Sequence, residues 1–462
     1  MGVAPPPPVP SGVIERVRSD MRWQRAARGR FPPGELSFSL SRTREFEREP
    51  LPLLLRLYEE FGPVFSMRLM YAPVVFALGP EANHYITVAA ASNFRWRDGG
   101  MGDLIPLLGD GLLTTDGDYH RRARRIMLPA FHREQIAAAT GVMSEEVARA
   151  LKSWRAGQRL DLYGWTRRLA LRVAMRALFG FHPERDAQMA ETFERALGFW
   201  GRSYAAQMLR GPRSPYRVMV NARARLDAVI FAEVDRRLES GERGLDLLSL
   251  LMDPTDEDGS RLSKHELRDQ VMTLLFAGHD TTTSTVTFLF YELARNPGEH
   301  DLDMAVDETL RMYPPAWIGP RRSIEPFELH GVGVPGGVLV NYCSWASHHL
   351  AEVFPEPFQF RPERFTEDAR AALPKGAYVP FGGGSRTCIG MRFGLLEVKT
   401  IAAAILERFS LELAEPERRL SIRQMPTLSP RGGLPVVLAP STAGEGSARR
   451  RSDLRGEPRP AG

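Results

Sequence analysis

Phe381-Gly382-Gly383-Gly384-Ser385-Arg386-Thr387-Cys388-Ile389-Gly390 is the stretch on which the reading of this chain turns. It holds one of only two cysteines among 462 residues. The cysteine ends a glycine-rich loop, follows an arginine by two positions and opens a stretch patterned as a helix from Met391 to Phe409. A helix N-terminus presents free backbone N–H groups and the positive end of the helix dipole. That environment lowers a thiol's pKa and favours thiolate. The glycines let the backbone pass close to a flat ligand and aim N–H groups at the sulfur. A thiolate held this way suits iron, and on haem iron it pushes electron density so as to favour O–O cleavage. The alternative is a glycine-rich turn around a buried, inert cysteine.

The bulk composition narrows the classes around that loop. Hydrophobic content of 43% and charged content of 25% are those of a soluble globular protein. The length exceeds a usual single domain, yet no low-complexity linker and no internal repeat divides the middle, so one large, mostly helical unit is expected. Two cysteines exclude a disulfide framework, a zinc ribbon and an iron–sulfur cluster, and fit a reducing compartment. The net charge of +5 and the runs Arg121-Arg122-Ala123-Arg124-Arg125 and Arg449-Arg450-Arg451 are read without nucleic acid. Arg121, Arg122 and Arg125 read as a solvated basic face. No apolar stretch is long enough for a transmembrane anchor, and the N-terminus lacks a secretory core, so a cytoplasmic location is expected.

Along the chain, residues 1–30 form a Pro/Arg-rich segment read as poorly ordered and then extended, the prolines arguing against an amphipathic helix. Residues 31–440 form the domain, and residues 441–462 read as a disordered basic tail. A helix is expected from Leu51 to Phe61, then strands Val64 to Met70 and Pro73 to Leu78. Helical patterning runs from Tyr119 to about Glu239. A long helix from roughly Ser263 to Arg295 carries Ser263 and Glu266 as a capping box. Short strands and loops follow Pro314. Mid-way along the long helix, Ala277-Gly278-His279-Asp280-Thr281-Thr282 places a glycine and threonines where a helix disfavours them, a lapse that marks functional sites. Thr and Asp side chains there can bond freed backbone groups and open the helix. His279 reads as a surface or packing residue. Cys343 reads as a small buried residue.

The spacing Phe-x-x-Gly-x-Arg-x-Cys-x-Gly resembles the haem-ligand signature of the cytochrome P450 family, of its soluble, bacterial type. The resemblance extends from about Phe31 to Pro440. It implies a mainly α fold with a minor β region, a long central helix over a haem, and the Cys-ligand loop on the proximal side. Cys388 would be the axial iron ligand. Phe381, Gly382, Gly384 and Gly390 would shape the loop, and Ala277 and Gly278 would open a groove for dioxygen. Thr281 would hydrogen-bond the dioxygen-derived ligand, and Asp280 would gate proton delivery.

The same resemblance implies a buried structural triad of Glu308, Arg311 and Arg364. The haem propionates would be held by His120 and Arg124, which lie four apart on one helix face, by Arg386, and by Arg321 in preference to Arg322. The substrate pocket would draw on Trp96, Met101, Leu104, Phe199, Trp200 and Trp317. The implied activity is a haem b monooxygenase that inserts one oxygen atom from O2 into a small apolar organic substrate. Electrons from NAD(P)H would arrive through a ferredoxin or flavodoxin and its reductase, since only 74 residues follow Cys388. The protein would act as a monomer. Two alternatives stand beside it: a peroxide-driven peroxygenase, and a non-catalytic haem- or ligand-binding member.

One stretch departs from the family pattern. Only Gly298 to Asp307 separate Asn296-Pro297 from Glu308, where the family places one or two further helices. A shortening there is expected to strain the placement of Arg311.

Overall fold

The protein is described by a computed structural model that covers residue 6 and residues 13–26, 29–181, 187–202, 204–244, 246–256, 259–418 and 420–441. Apart from residue 6, the proline run lies outside the described residues, as does the basic tail beyond residue 441.

The long helix organises the fold. It runs from Lys264 to Arg295 and is started by the expected capping box: Ser263 accepts from the Glu266 N–H, and Glu266 accepts from the Ser263 N–H at 2.8 Å. Its 32 residues span roughly 48 Å at 1.5 Å per residue. Apolar and hydroxyl side chains are buried on every side of it, so it is a core helix, not a surface one. Packed against it are the helices Leu162–Val173, Pro215–Ser240 and Leu302–Met312, and the proximal helix Met391–Leu406. The largest hydrophobic cluster fills the space among them.

The β part lies to one side. A six-stranded mixed sheet has Val64–Leu69 antiparallel to Ala72–Ala77, then Leu339–Tyr342 parallel to it and Gly319–Ser323 antiparallel, with two-residue strands at both edges. Strands at Phe409–Leu413, Pro435–Pro440 and Arg159–Asp161 form a separate antiparallel sheet. The strand at Arg159–Asp161 interrupts a stretch read as helix throughout, because three of its residues pair with Pro435–Val437. The proximal helix stops at Leu406, since Phe409 is recruited into a strand opposite Pro440.

Two further differences come from tertiary contacts. A helix at Val13–Ala26 forms in the segment read as extended. It is seated by Asp20, which accepts from Arg322 at 2.7 Å and from the Tyr71 hydroxyl at 3.1 Å. The short connector turns directly from Asn296 into Leu302–Met312, which Asp301 caps by accepting from the Met304 N–H. Phe288 and Tyr313 stack at 4.2 Å across the joint, and Tyr313 donates to Glu292 at 2.6 Å. Arg311 is not strained by the short connector: it is fully buried and all its contacts are made.

Candidate haem-thiolate site

The cysteine loop is a closed turn. The Cys388 N–H donates to the Phe381 carbonyl at 2.9 Å, and the Thr387 N–H to Gly384 at 3.1 Å. Gly384 has φ +60°, and a Cβ there would stand 2.4 Å from the Thr87 carbonyl, so both backbone and space require glycine. Gly390 is the N-cap residue of the proximal helix. Cys388 is accessible to solvent, although protein surrounds its sulfur. That burial raises its pKa, while the Gly390 N–H and the Arg124 guanidinium pull the other way. This corrects the expectation of a lowered pKa: desolvation outweighs the helix terminus, and the thiol would lose its proton only on binding a metal.

The second group of expected residues lies on the central helix. Ala277, Gly278 and Thr281 are half-buried in a helix whose flanking residues are buried. A Cβ on Gly278 would meet only Leu178, at 3.9 Å. The helix runs unbroken here. In place of an opening, the Thr281 hydroxyl donates to the Ala277 carbonyl at 2.5 Å, and Thr283, Thr285 and Thr287 repeat the same i−4 bond. Asp280 is buried, with Oδ1 2.6 Å from Arg167 and Oδ2 without a hydrogen-bond partner. Arg167 also pairs with Glu194 at 2.7 Å, and His279, buried, lies 3.1 Å from Glu194.

The cations gather where a doubly anionic rim would lie. A cavity of about 350 Å³ is lined by His120, Arg321, Arg386, Trp96, Tyr342 and Asp116, among others. Arg386 donates to Asp116 at 2.8 Å and to the Thr115 carbonyl at 2.7 Å; burial brings its pKa down to about 10. Burial, then Arg386 and Arg124, push His120 down to about 3. Arg124 donates to the Thr387 carbonyl at 2.7 Å, beside the cysteine. The two adjacent arginines separate because neighbouring residues on a strand face opposite ways. Arg321 turns into the cavity under the ring of Trp96 at 3.6 Å. Arg322 turns out to Asp20, the Asp98 carbonyl and the Gly337 carbonyl.

Arg321 is the test of fit. It is 3% exposed, its guanidinium donates to the neighbouring Pro320 carbonyl, and no acidic side chain forms an ion pair with it among the described residues. A buried cation without a counter-ion calls for an anion. Among the described residues no group of three ligating side chains is placed to hold a bare metal ion. A single thiolate therefore suits an iron that brings its own nitrogen donors. The residues present fit haem.

Behind the loop, Glu308 and Arg311 form a doubly bonded pair at 2.7 and 2.9 Å, both fully buried. Arg311 also donates to the carbonyls of His348 and Pro357 at 2.8 Å. Arg364 approaches Glu308 at 3.4 Å without a directed hydrogen bond from its Nε. His348 was not singled out in the sequence. Its Nδ1–H faces the Arg311 carbonyl at 3.1 Å, and its Nε2 accepts from the Val379 N–H at 3.0 Å. This links the Glu308 pair to the start of the cysteine loop. Glu397 was also missed: buried on the proximal helix, it accepts from Thr282 at 3.0 Å, and burial pushes it up to about 8. Its only signal was an acid among apolar helix residues.

Other expectations change. Arg122 is buried, not solvated, and donates to Glu266 at 2.7 Å. Trp96 belongs to the arginine cluster. Trp317 sits in a separate core cluster and donates to the Gln424 carbonyl at 3.0 Å. Phe199, Trp200 and Leu104 are buried in the main core, and Met101 packs against it.

Comparison with known proteins agrees with this arrangement. The family profile described as Cytochrome P450 matches residues 31–301 and 302–434, its two pieces abutting at the short connector. Cyclooctatin synthase of Streptomyces melanosporofaciens is 32% identical over 85% of this chain and 91% of its own. Cyclooctat-9-en-7-ol 5-monooxygenase of the same organism is 34% identical over 82% and 88%. The solved structure titled retinoic acid bound cyanobacterial CYP120A1 is similar with a TM-score of 0.79 and 27% identity, over 89% of this chain and 99% of that one. Among the described residues, no helix is long and apolar enough to cross a membrane. Profile, relatives and fold agree over nearly the whole chain, and it belongs to the cytochrome P450 family.

Proposed function

We propose that this chain is a haem b monooxygenase that inserts one oxygen atom from O2 into an apolar organic molecule, using electrons from NAD(P)H passed on by a separate ferredoxin or flavodoxin and its reductase. The observation that carries the reading is the combination of Cys388, accessible in a closed glycine-rich turn, with Arg321, a buried cation without an ion-pair partner among the described residues. The relatives' names support a substrate that is a largely hydrocarbon ring system carrying few polar groups, such as the cyclic alcohol named for one of them.

Haem, when bound, supplies the activation of oxygen and accepts the electrons. Cys388 would hold its iron, and Arg321, Arg386, His120 and Arg124 would be the cations available to its propionates. The Gly390 N–H and Arg124 stabilise charge on the sulfur. Thr281 commits its proton to the Ala277 carbonyl, which leaves its oxygen lone pairs free to accept a hydrogen bond. Asp280 is held by Arg167 through one oxygen, so the other is the free acceptor for a proton in transit. The Glu308–Arg311 pair and His348 act through the backbone, keeping the loop in place before haem arrives.

The test is the spectrum of the dithionite-reduced protein under carbon monoxide. A strongly red-shifted Soret band establishes thiolate trans to CO. A band at the position of a neutral ligand, or no haem, overturns the reading. Product formation with surrogate redox partners, set against hydrogen peroxide alone, then separates monooxygenase from peroxygenase.

A further inference from the structure

Among the cations of the arginine cavity stands one acid, Asp116. It is the N-cap residue of the helix Gly117–Met127, where an aspartate ordinarily accepts from the first free N–H groups of its own helix. Its side chain makes no such bond. Its Oδ1 accepts from the Arg386 guanidinium at 2.8 Å, and its Oδ2 accepts from the Arg97 N–H at 2.9 Å. The Trp96 N–H reaches both oxygens, at 3.0 and 3.1 Å. The ring of Trp96 in turn takes the Arg321 guanidinium at 3.6 Å and the Arg386 guanidinium at 5.0 Å. One carboxylate, having given up its helix cap, thus holds a cation directly and also the residue whose ring both cations approach.

The neighbouring charges fall into two sets. Several arginines bring acids of their own: Arg95 pairs with Asp98 at 3.4 Å, Arg97 with Asp110 at 2.7 Å, and Arg121 with Asp118. His120, held down to about 3 by burial and then by Arg386 and Arg124, is neutral. What remains is Arg321, Arg386 and Arg124 against Asp116. These groups feel one another. Burial first, then Arg321 and Arg124, lower the Arg386 pKa, and Asp116 opposes them. Burial lowers Arg321 as well, and Tyr342 and then Asp116 pull it back. Three guanidinium charges and one carboxylate leave +2, equal and opposite to the charge of two propionates. Without Asp116 the same site would carry a surplus of +1. Reduction of ferric iron adds one negative charge, so that surplus would favour the ferrous state.

We propose that Asp116 is a positioning residue for haem: it keeps part of Arg386 for itself and so holds the haem reduction potential below the value the arginines alone would set. The inference rests on haem binding at Cys388. The carbon monoxide spectrum of the unmodified chain tests that reading first, and a missing red-shifted band sinks the reading and this inference together; with the band present, the outcomes below bear on Asp116 alone. Asp116→Asn keeps the shape and an acceptor for the loop N–H groups and removes the charge. In the haem-loaded full chain it should raise the reduction potential by about 59 mV, a tenfold shift of the ferric/ferrous equilibrium. It should also slow haem transfer to a scavenging globin by about threefold or more, because Arg386 is then free for a propionate. Asp116→Glu keeps the charge and should keep the original potential. Asp98→Asn removes the same charge from a neighbouring, more exposed acid that does not line the cavity, and should change neither readout. If Asp116 only pins the loop, Asp116→Asn leaves the potential where it was and releases haem faster. That result, an equal rise in Asp98→Asn or in Asp116→Glu, or an Asp116→Asn chain that takes up no haem, overturns the proposal.

Discussion

Two buried arginines in this molecule live in opposite circumstances. Arg311 is fully buried, and every contact it needs comes from its own chain: the Glu308 carboxylate and the carbonyls of His348 and Pro357. Arg321 is almost as buried, yet the chain gives it two aromatic rings and a neighbouring carbonyl, and no acid by ion pair among the described residues. The first is complete without ligand; the second is complete only with one. A buried guanidinium therefore reports structure or ligand according to whether the chain itself supplies its partner.

The largest test of that contrast is Arg311→Ala. It strands the Glu308 carboxylate in the core and should cost about 3–5 kcal/mol, with loss of haem loading, read by denaturant titration and the Soret band. Arg321→Ala should do the reverse. It should leave the haem-free chain as stable as before, or more so, while haem transfer to a scavenging globin speeds up about tenfold or more, the worth of one charge-assisted bond. If Arg321→Ala unfolds the haem-free chain as Arg311→Ala does, the distinction fails.

The pH dependence sharpens the same comparison. Glu397 has a folded pKa of about 8, raised from 4.5 by burial. The folded state thus holds a proton that the unfolded state releases, and stability falls as pH rises from about 4.5 to 8. Glu397→Gln should remove that decline, on the order of a few kcal/mol, in melts taken across this range. His348 and His349 are lowered by burial to about 3. Their contribution is present above about 6.5 and is lost as pH falls toward 3, so the acid limb should survive in the Glu397→Gln variant.

The smallest structural effect is expected for Thr281→Ala, whose side chain makes one bond to its own helix. Stability should change by less than about 0.5 kcal/mol, while product formed per NAD(P)H consumed drops in a reconstituted assay.

The cysteine loop, the Glu308–Arg311 spacing and the capping box at Ser263 were legible because each is a local pattern whose chemistry is contained within a few residues. The N-terminal helix was not: the prolines before it argue for extended chain, and what holds it is Arg322 and Tyr71, far along the sequence. Arg122 looked like one more cation in a basic run, and only packing shows it reaching Glu266. His348 and Glu397 had no spacing to betray them.

By itself, then, the sequence determined a cysteine in a glycine-rich turn at a helix start, a long capped helix and a paired glutamate and arginine, since short-range spacing decides which groups share a face or a turn. The tertiary structure alone decided which of Arg321 and Arg322 faces the cavity, that Asp280 is tied to Arg167, and that Cys388 is desolvated enough to raise its pKa. Those outcomes depend on burial and on partners far apart in the chain, and both arise only when the elements pack.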